Sequence, residues 1–69
     1  MSIEKMLDVL QEEYNEYYLN SRWIGEKPPD ERFAKYYFER FQSHCQFFKK
    51  VTGLDIAVNG RKVVAFPQK

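Results

Sequence analysis

The sequence predicts an α+β fold of the order ααββ, an antiparallel helical hairpin packed on a C-terminal two-stranded β-hairpin. Three observations carry this prediction. Apolar residues recur at spacings of three and four from Ile3 to Ile24 and again from Phe33 to Val51, the pattern of helices with one buried stripe. After Gly53 the period drops to two, with Leu54, Ile56 and Val58 alternating with Asp55 and Ala57, as on a half-buried strand. Asn59-Gly60 then interrupts the alternation before Arg61 to Phe66 resumes it, which marks a hairpin.

Ser2 is placed to cap the first helix, and Glu4 lies in its first turn, where a carboxylate meets the positive end of the helix dipole. Ile3, Met6, Leu7, Leu10, Tyr14, Tyr17, Tyr18, Ser21 and Ile24 share one stripe, so helix 1 is expected from about Ile3 to Arg22 or Trp23. Gly25 is then expected to close it in a left-handed cap, with Pro28-Pro29 blocking continuation. Helix 2 is expected from about Pro29 to Val51 or Thr52. Proline suits the first helical position, Asp30 and Glu31 suit the first turn, and Gly53 supplies the stop. Its broad apolar face holds Phe33, Ala34, Tyr37, Phe38, Phe41, Cys45, Phe48 and Val51. A link of only a few residues obliges the helices to pack antiparallel.

With Asn59-Gly60 as the centre of a type I′ turn, Val58 pairs with Arg61, Ile56 with Val63 and Leu54 with Ala65. The face made by Leu54, Ile56, Val58, Val63 and Ala65 is expected to cover the helices. Asp55, Ala57, Lys62, Val64 and Phe66 occupy the other face, and the hairpin spans about 54 to 66. A lone two-stranded sheet is marginal in water and both its edges are open, so it needs the helices or another copy of the chain beside it. Together the elements form one domain over residues 1–69.

At 69 residues the chain is close to the size where one core barely suffices and extra devices are common. A single cysteine, Cys45, excludes an internal disulfide. No metal or other cofactor is implied, because His44 and Cys45 are adjacent and neighbouring helical side chains diverge by about 100°. The lone thiol and an N-terminus without a signal-peptide pattern point to the cytoplasm. No apolar run approaches the roughly 20 residues that cross a bilayer. The net charge of +1 hides a polarity: residues 1 to 34 hold four Lys/Arg and eight Asp/Glu, residues 35 to 69 hold seven and two. Either the two helices face each other with complementary charge, or the basic half faces an acidic partner or a phosphate backbone.

Candidate functional residues come from what falls off the stripes. Twelve residues are aromatic, eleven of them between Tyr14 and Phe48, more ring surface than a two-helix unit of this size can hide. On helix 2, Tyr36 and Phe47 are eleven residues apart and so point the same way, with Arg40 between them and Ser43 alongside. Rings beside an arginine are the composition of binding hot spots. On helix 1, Leu19 and Trp23 point away from Leu10; they either fold under the link onto Phe33 or form a second patch. Glu12, Glu13 and Glu16 are expected on a solvated face. His44-Cys45 lacks the aimed base and orienting group of a thiol catalyst, and a thiol between Phe41 and Phe48 should stay protonated. Lys49, Lys50, Arg61, Lys62 and Lys69 form a basic group, with Arg61 and Lys62 at the hairpin tip, where a DNA-binding wing carries charge for phosphates.

These features predict a protein that is not an enzyme: a small module that binds another protein, as a regulator, inhibitor or adaptor, through Tyr36, Arg40, Phe47, Leu19 and Trp23, and that forms a homodimer. The alternative is nucleic-acid binding through Lys49, Lys50, Arg61 and Lys62.

Overall fold

The computed structural model describes residues 2–67. Helix α1 spans Ile3–Asn20, α2 spans Glu31–Thr52, β1 spans Leu54–Asn59 and β2 spans Lys62–Pro67. The helices lie against each other, and the antiparallel β-hairpin lies across one side of the pair, β1 beside α2 and β2 beside α1. The fold is α+β in the order ααββ. Lys69 lies outside the described residues.

Ser2 caps α1 as expected, its Oγ accepting the Lys5 N–H at 3.2 Å. At the other end the helix stops at Asn20, about three residues short of Trp23. Continuing it would place the Ile24 N–H on the Asn20 carbonyl. That carbonyl instead accepts the Asp30 N–H at 2.8 Å, and Ile24 N–H goes to the Lys27 carbonyl at 3.0 Å. Ser21 Oγ and Arg22 Nε both donate to the Tyr18 carbonyl, at 3.0 and 3.2 Å, side chains replacing the helix's own donors. Gly25, with φ of 59°, therefore serves the tight turn bracketed by Ile24 and Lys27 rather than a helix cap.

Helix α2 starts two residues later than expected. Asp30 is its cap, with Oδ1 accepting the Phe33 N–H at 3.2 Å, so Pro29 stays outside. Gly53 ends the helix with φ of 75°, the left-handed cap that a glycine adopts without a Cβ clash. Thr52 Oγ1 donates to the Phe48 carbonyl at 2.7 Å and accepts the Leu54 N–H at 3.1 Å, coupling helix end to strand start.

The hairpin turns one residue later than expected. Its central residues are Gly60 and Arg61, and Val58 pairs with Val63, Ile56 with Ala65 and Leu54 with Pro67. Only Gly60 has positive φ, at 67°, the type II′ pattern. A type I′ turn would have held Asn59 in the left-handed region as well; glycine alone takes that conformation freely. Each cross-strand partner shifts by two residues, the period of side-chain alternation, so Leu54, Ile56, Val63 and Ala65 still meet the helices as expected, whereas Val58, beside the turn, is exposed.

Met6, Leu10, Phe41, Phe48 and Val63 form the buried cluster, with Leu7, Tyr14, Cys45, Leu54, Ile56 and Ala65 packed around it. The expected helix faces were too generous. Phe33, Phe38 and Val51 on α2, and Ile3 on α1, are exposed. A six-residue strand covers about 20 Å while α2 runs for about 33 Å, so the hairpin shelters only part of the helix pair. Beyond it the rings cover one another: Tyr17 and Phe38 centroids lie 4.9 Å apart, and Tyr14 and Phe41 5.5 Å apart.

Candidate interaction surface

The two helices turn one side to the hairpin and leave the opposite side open. Periodicity decides which side chains reach that open side. On α1, Glu13 repeats the position of Met6 seven residues later, and Val9 and Glu16 flank it by one turn in each direction. On α2, Tyr36, Arg40, His44 and Phe47 recur at spacings of four and three.

At its centre is a clamp. Glu13 is only 6 % exposed, and both its oxygens are held by α2: Arg40 Nε donates to Oε2 at 3.2 Å and His44 Nδ1 lies 2.6 Å from Oε1. A carboxylate only accepts, so Nδ1 carries the proton. Arg40 also donates from Nη1 to the Tyr36 hydroxyl at 3.1 Å, with its guanidinium 5.5 Å from the ring centroid. Hydrogen bonding to Glu13, then to Tyr36, raises the already high Arg40 pKa further. Among the described residues no buried side-chain nitrogen or oxygen lacks a partner.

An apolar groove of about 170 Å³ lies to one side of the clamp, between Met6, Val9, Leu10, His44, Phe47 and Phe48. To the other side a wider, polar cleft runs past Glu12, Glu16, Tyr36 and Arg40. Val9 lines both, so the two form one continuous face. Along it Tyr36 is 50 % and Phe47 57 % exposed.

Of the residues singled out in the sequence, Tyr36 and Arg40 are in direct contact and Phe47 stands on the same side of α2. Leu19 stands on α1 and is exposed. Trp23 lies past the end of α1 and is 66 % exposed, and Phe33 is exposed too, so neither staples the link. Glu13 was expected with Glu12 and Glu16 on a solvated face; it is buried because its heptad position is that of Met6, directly opposite α2. That signal was in the spacing, together with a matching His44 one turn before Phe48. Val9 was not singled out; it is exposed because it lies on the side of α1 turned away from the hairpin.

The basic residues are partly spent inside the fold. Lys49 Nζ lies 3.3 Å from Asp55 Oδ1. Arg61 is turned back onto α1, 4.2 Å from the Tyr18 ring centroid, and Arg22 lies 3.4 Å from the same centroid. Gln11 holds the hairpin tip from below: Nε2 donates to the Arg61 carbonyl at 2.9 Å and Oε1 accepts the Val63 N–H at 2.8 Å. Lys50 and Lys62 remain exposed.

His44 and Cys45 point to different sides of α2. Burial, helped by the Glu13 charge, pushes the Cys45 thiol up to about 11, so it is protonated at neutral pH. Among the described residues no three His, Cys, Asp or Glu side chains are grouped to hold a metal ion, and no helix is long and apolar enough to cross a membrane. No protein-family model, curated protein or solved structure matches the chain.

Proposed function

We propose that this chain is a small, non-enzymatic protein-binding module, a regulator, inhibitor or adaptor of the cytosol, that works through the open face of its helical hairpin. One observation carries the reading: Val9, Tyr36 and Phe47 stand exposed around Arg40 on the side the hairpin leaves uncovered. Exposed rings and aliphatic side chains flanking an arginine are the composition enriched where protein partners bind. Helices hold these side chains, so little loop ordering opposes association. The protonated thiol and the commitment of His44 to Glu13 support a non-catalytic role, and a single free cysteine suits a reducing compartment.

Immobilised protein challenged with native lysate, with and without nuclease, tests this. Capture should survive nuclease, fail with Tyr36→Ala or Phe47→Glu, and persist with Lys50→Ala combined with Lys62→Ala. Capture that disappears with nuclease, falls steeply with salt as counterion release requires, and is lost in the lysine double variant would replace this reading by nucleic-acid binding.

A further inference from the structure

The open face is complementary to itself. Along α1 the outward residues Val9, Glu12, Glu16 and Leu19 follow spacings of three, four and three. Along α2 the outward residues Tyr36, Arg40, Ser43 and Phe47 follow four, three and four. This is the alternation of helices that pack at a shallow angle in bundles.

Contacts inside the chain fix which residues share a level. Tyr17 stacks on Phe38, Glu13 binds Arg40 and His44, and Val9 and Phe47 line one groove. Because α1 and α2 run antiparallel, Val9 is level with Phe47, Glu16 with Arg40, and Leu19 with Tyr36. A two-fold axis parallel to the helices, with two open faces meeting, preserves every level and exchanges α1 for α2. Each α1 strip then lies on the other copy's α2 strip, antiparallel, as in an up-down four-helix bundle.

That superposition sets Val9 on Phe47, Leu19 on Tyr36, and the Glu16 carboxylate on the Arg40 guanidinium. Arg40 has donors to spare, since Glu13 and Tyr36 take only Nε and one Nη1 hydrogen of its five. We infer that the occupant of the open face is a second copy of this chain, docked as an isologous four-helix bundle with Glu16 of each copy paired to Arg40 of the other. A foreign partner has no need of such a match, whereas a two-fold dimer requires opposite charge and like polarity at equal levels of one face. The inference rests on the protein-binding reading of that face and adds the identity of the partner.

Sedimentation equilibrium at tens of micromolar tests it, with Val9→Lys, Phe47→Glu and Glu16→Arg as variants; all three change exposed side chains outside the clamp. Wild type should give twice 8.4 kDa. Each variant alone should dissociate about thirtyfold more readily, the effect of a lost hot-spot contact, while its circular dichroism stays that of wild type. An equimolar mixture of Val9→Lys and Phe47→Glu should recover the dimer. In that heterodimer the introduced ammonium faces the introduced carboxylate in one half and Val9 faces Phe47 in the other. A wild-type monomer at millimolar concentration would overturn the inference and leave capture of a foreign protein standing. Dimers that persist undiminished in all three variants would overturn it too, by placing the interface elsewhere.

Discussion

The same two helices are held together differently on their two sides. Toward the hairpin, Leu10, Phe41 and Phe48 meet Val63 in a dry cluster, and hydrophobic burial does the holding. Toward the open face the contact is the Glu13 clamp, two charge-assisted bonds to Arg40 and His44, with apolar side chains left in water around it. A side closed by apolar burial has little surface left to offer. A side closed by a compact polar clamp leaves the rings of Tyr36 and Phe47 exposed beside it.

Adjacent residues on α2 give the largest test of this difference. Phe48 is 0 % exposed and Phe47 57 %, so Phe48→Ala should cost about 3 to 5 kcal/mol, close to the whole stability of a domain this small. Phe47→Ala should cost only about 0.5 kcal/mol. Urea denaturation of the pair checks this, and equal losses would mean that the two sides are not distinct.

The clamp should come next. Arg40→Ala removes one of two partners from a buried carboxylate and should lower the melting temperature, by less than Phe48→Ala. A surface residue engaged only in binding would show no such loss. Glu13→Gln should cost less than Arg40→Ala, because the amide has no buried charge to leave uncompensated. The reverse order in thermal melts would show that Arg40 is not needed to neutralise Glu13.

On the hairpin side, Gln11→Ala should leave the Val63 N–H without its acceptor and cost about 1 to 2 kcal/mol. Amide exchange read by NMR should quicken at Val63 more than at Phe48, which hydrogen-bonds within its own helix. Uniform protection across the hairpin would show that Gln11 does not anchor it.

The smallest effect concerns Cys45. Its thiol is raised from an ordinary 9.0 to about 11, so the folded protein keeps a proton that the unfolded chain has lost between those values. Stability contributed by the neutral thiol is therefore complete below pH 9 and declines as pH rises through 11. Alkylation of the native protein should be slow at neutral pH and should accelerate up to about pH 11. A plateau near pH 9 would place Cys45 in water rather than against the hairpin side of α2.

Local chemistry determined the elements and most of their ends. Ser2, Gly53 and the switch of period after Gly53 act through bonds and dihedrals within a few residues, so α1, α2 and both strands were legible in order. The inner face of the hairpin was legible as well, because a turn displaced by one residue moves each partner by two and leaves the alternation intact. Of the candidate surface, Tyr36, Arg40 and Phe47 were visible as residues off the apolar stripe. What tertiary structure alone decided was coverage. A helical wheel gives the angle of a side chain but not the length of the layer laid over it, so Phe33 and Phe38 lie beyond the hairpin's shelter. The end of α1 was fixed by Asp30, ten residues away along the chain, which takes the carbonyl that the next turn would have used. Glu13 became the centre of the open face for the same reason: a carboxylate settles in a helix interface only where two donors arrive from the other helix, and their arrival depends on how α1 and α2 pack.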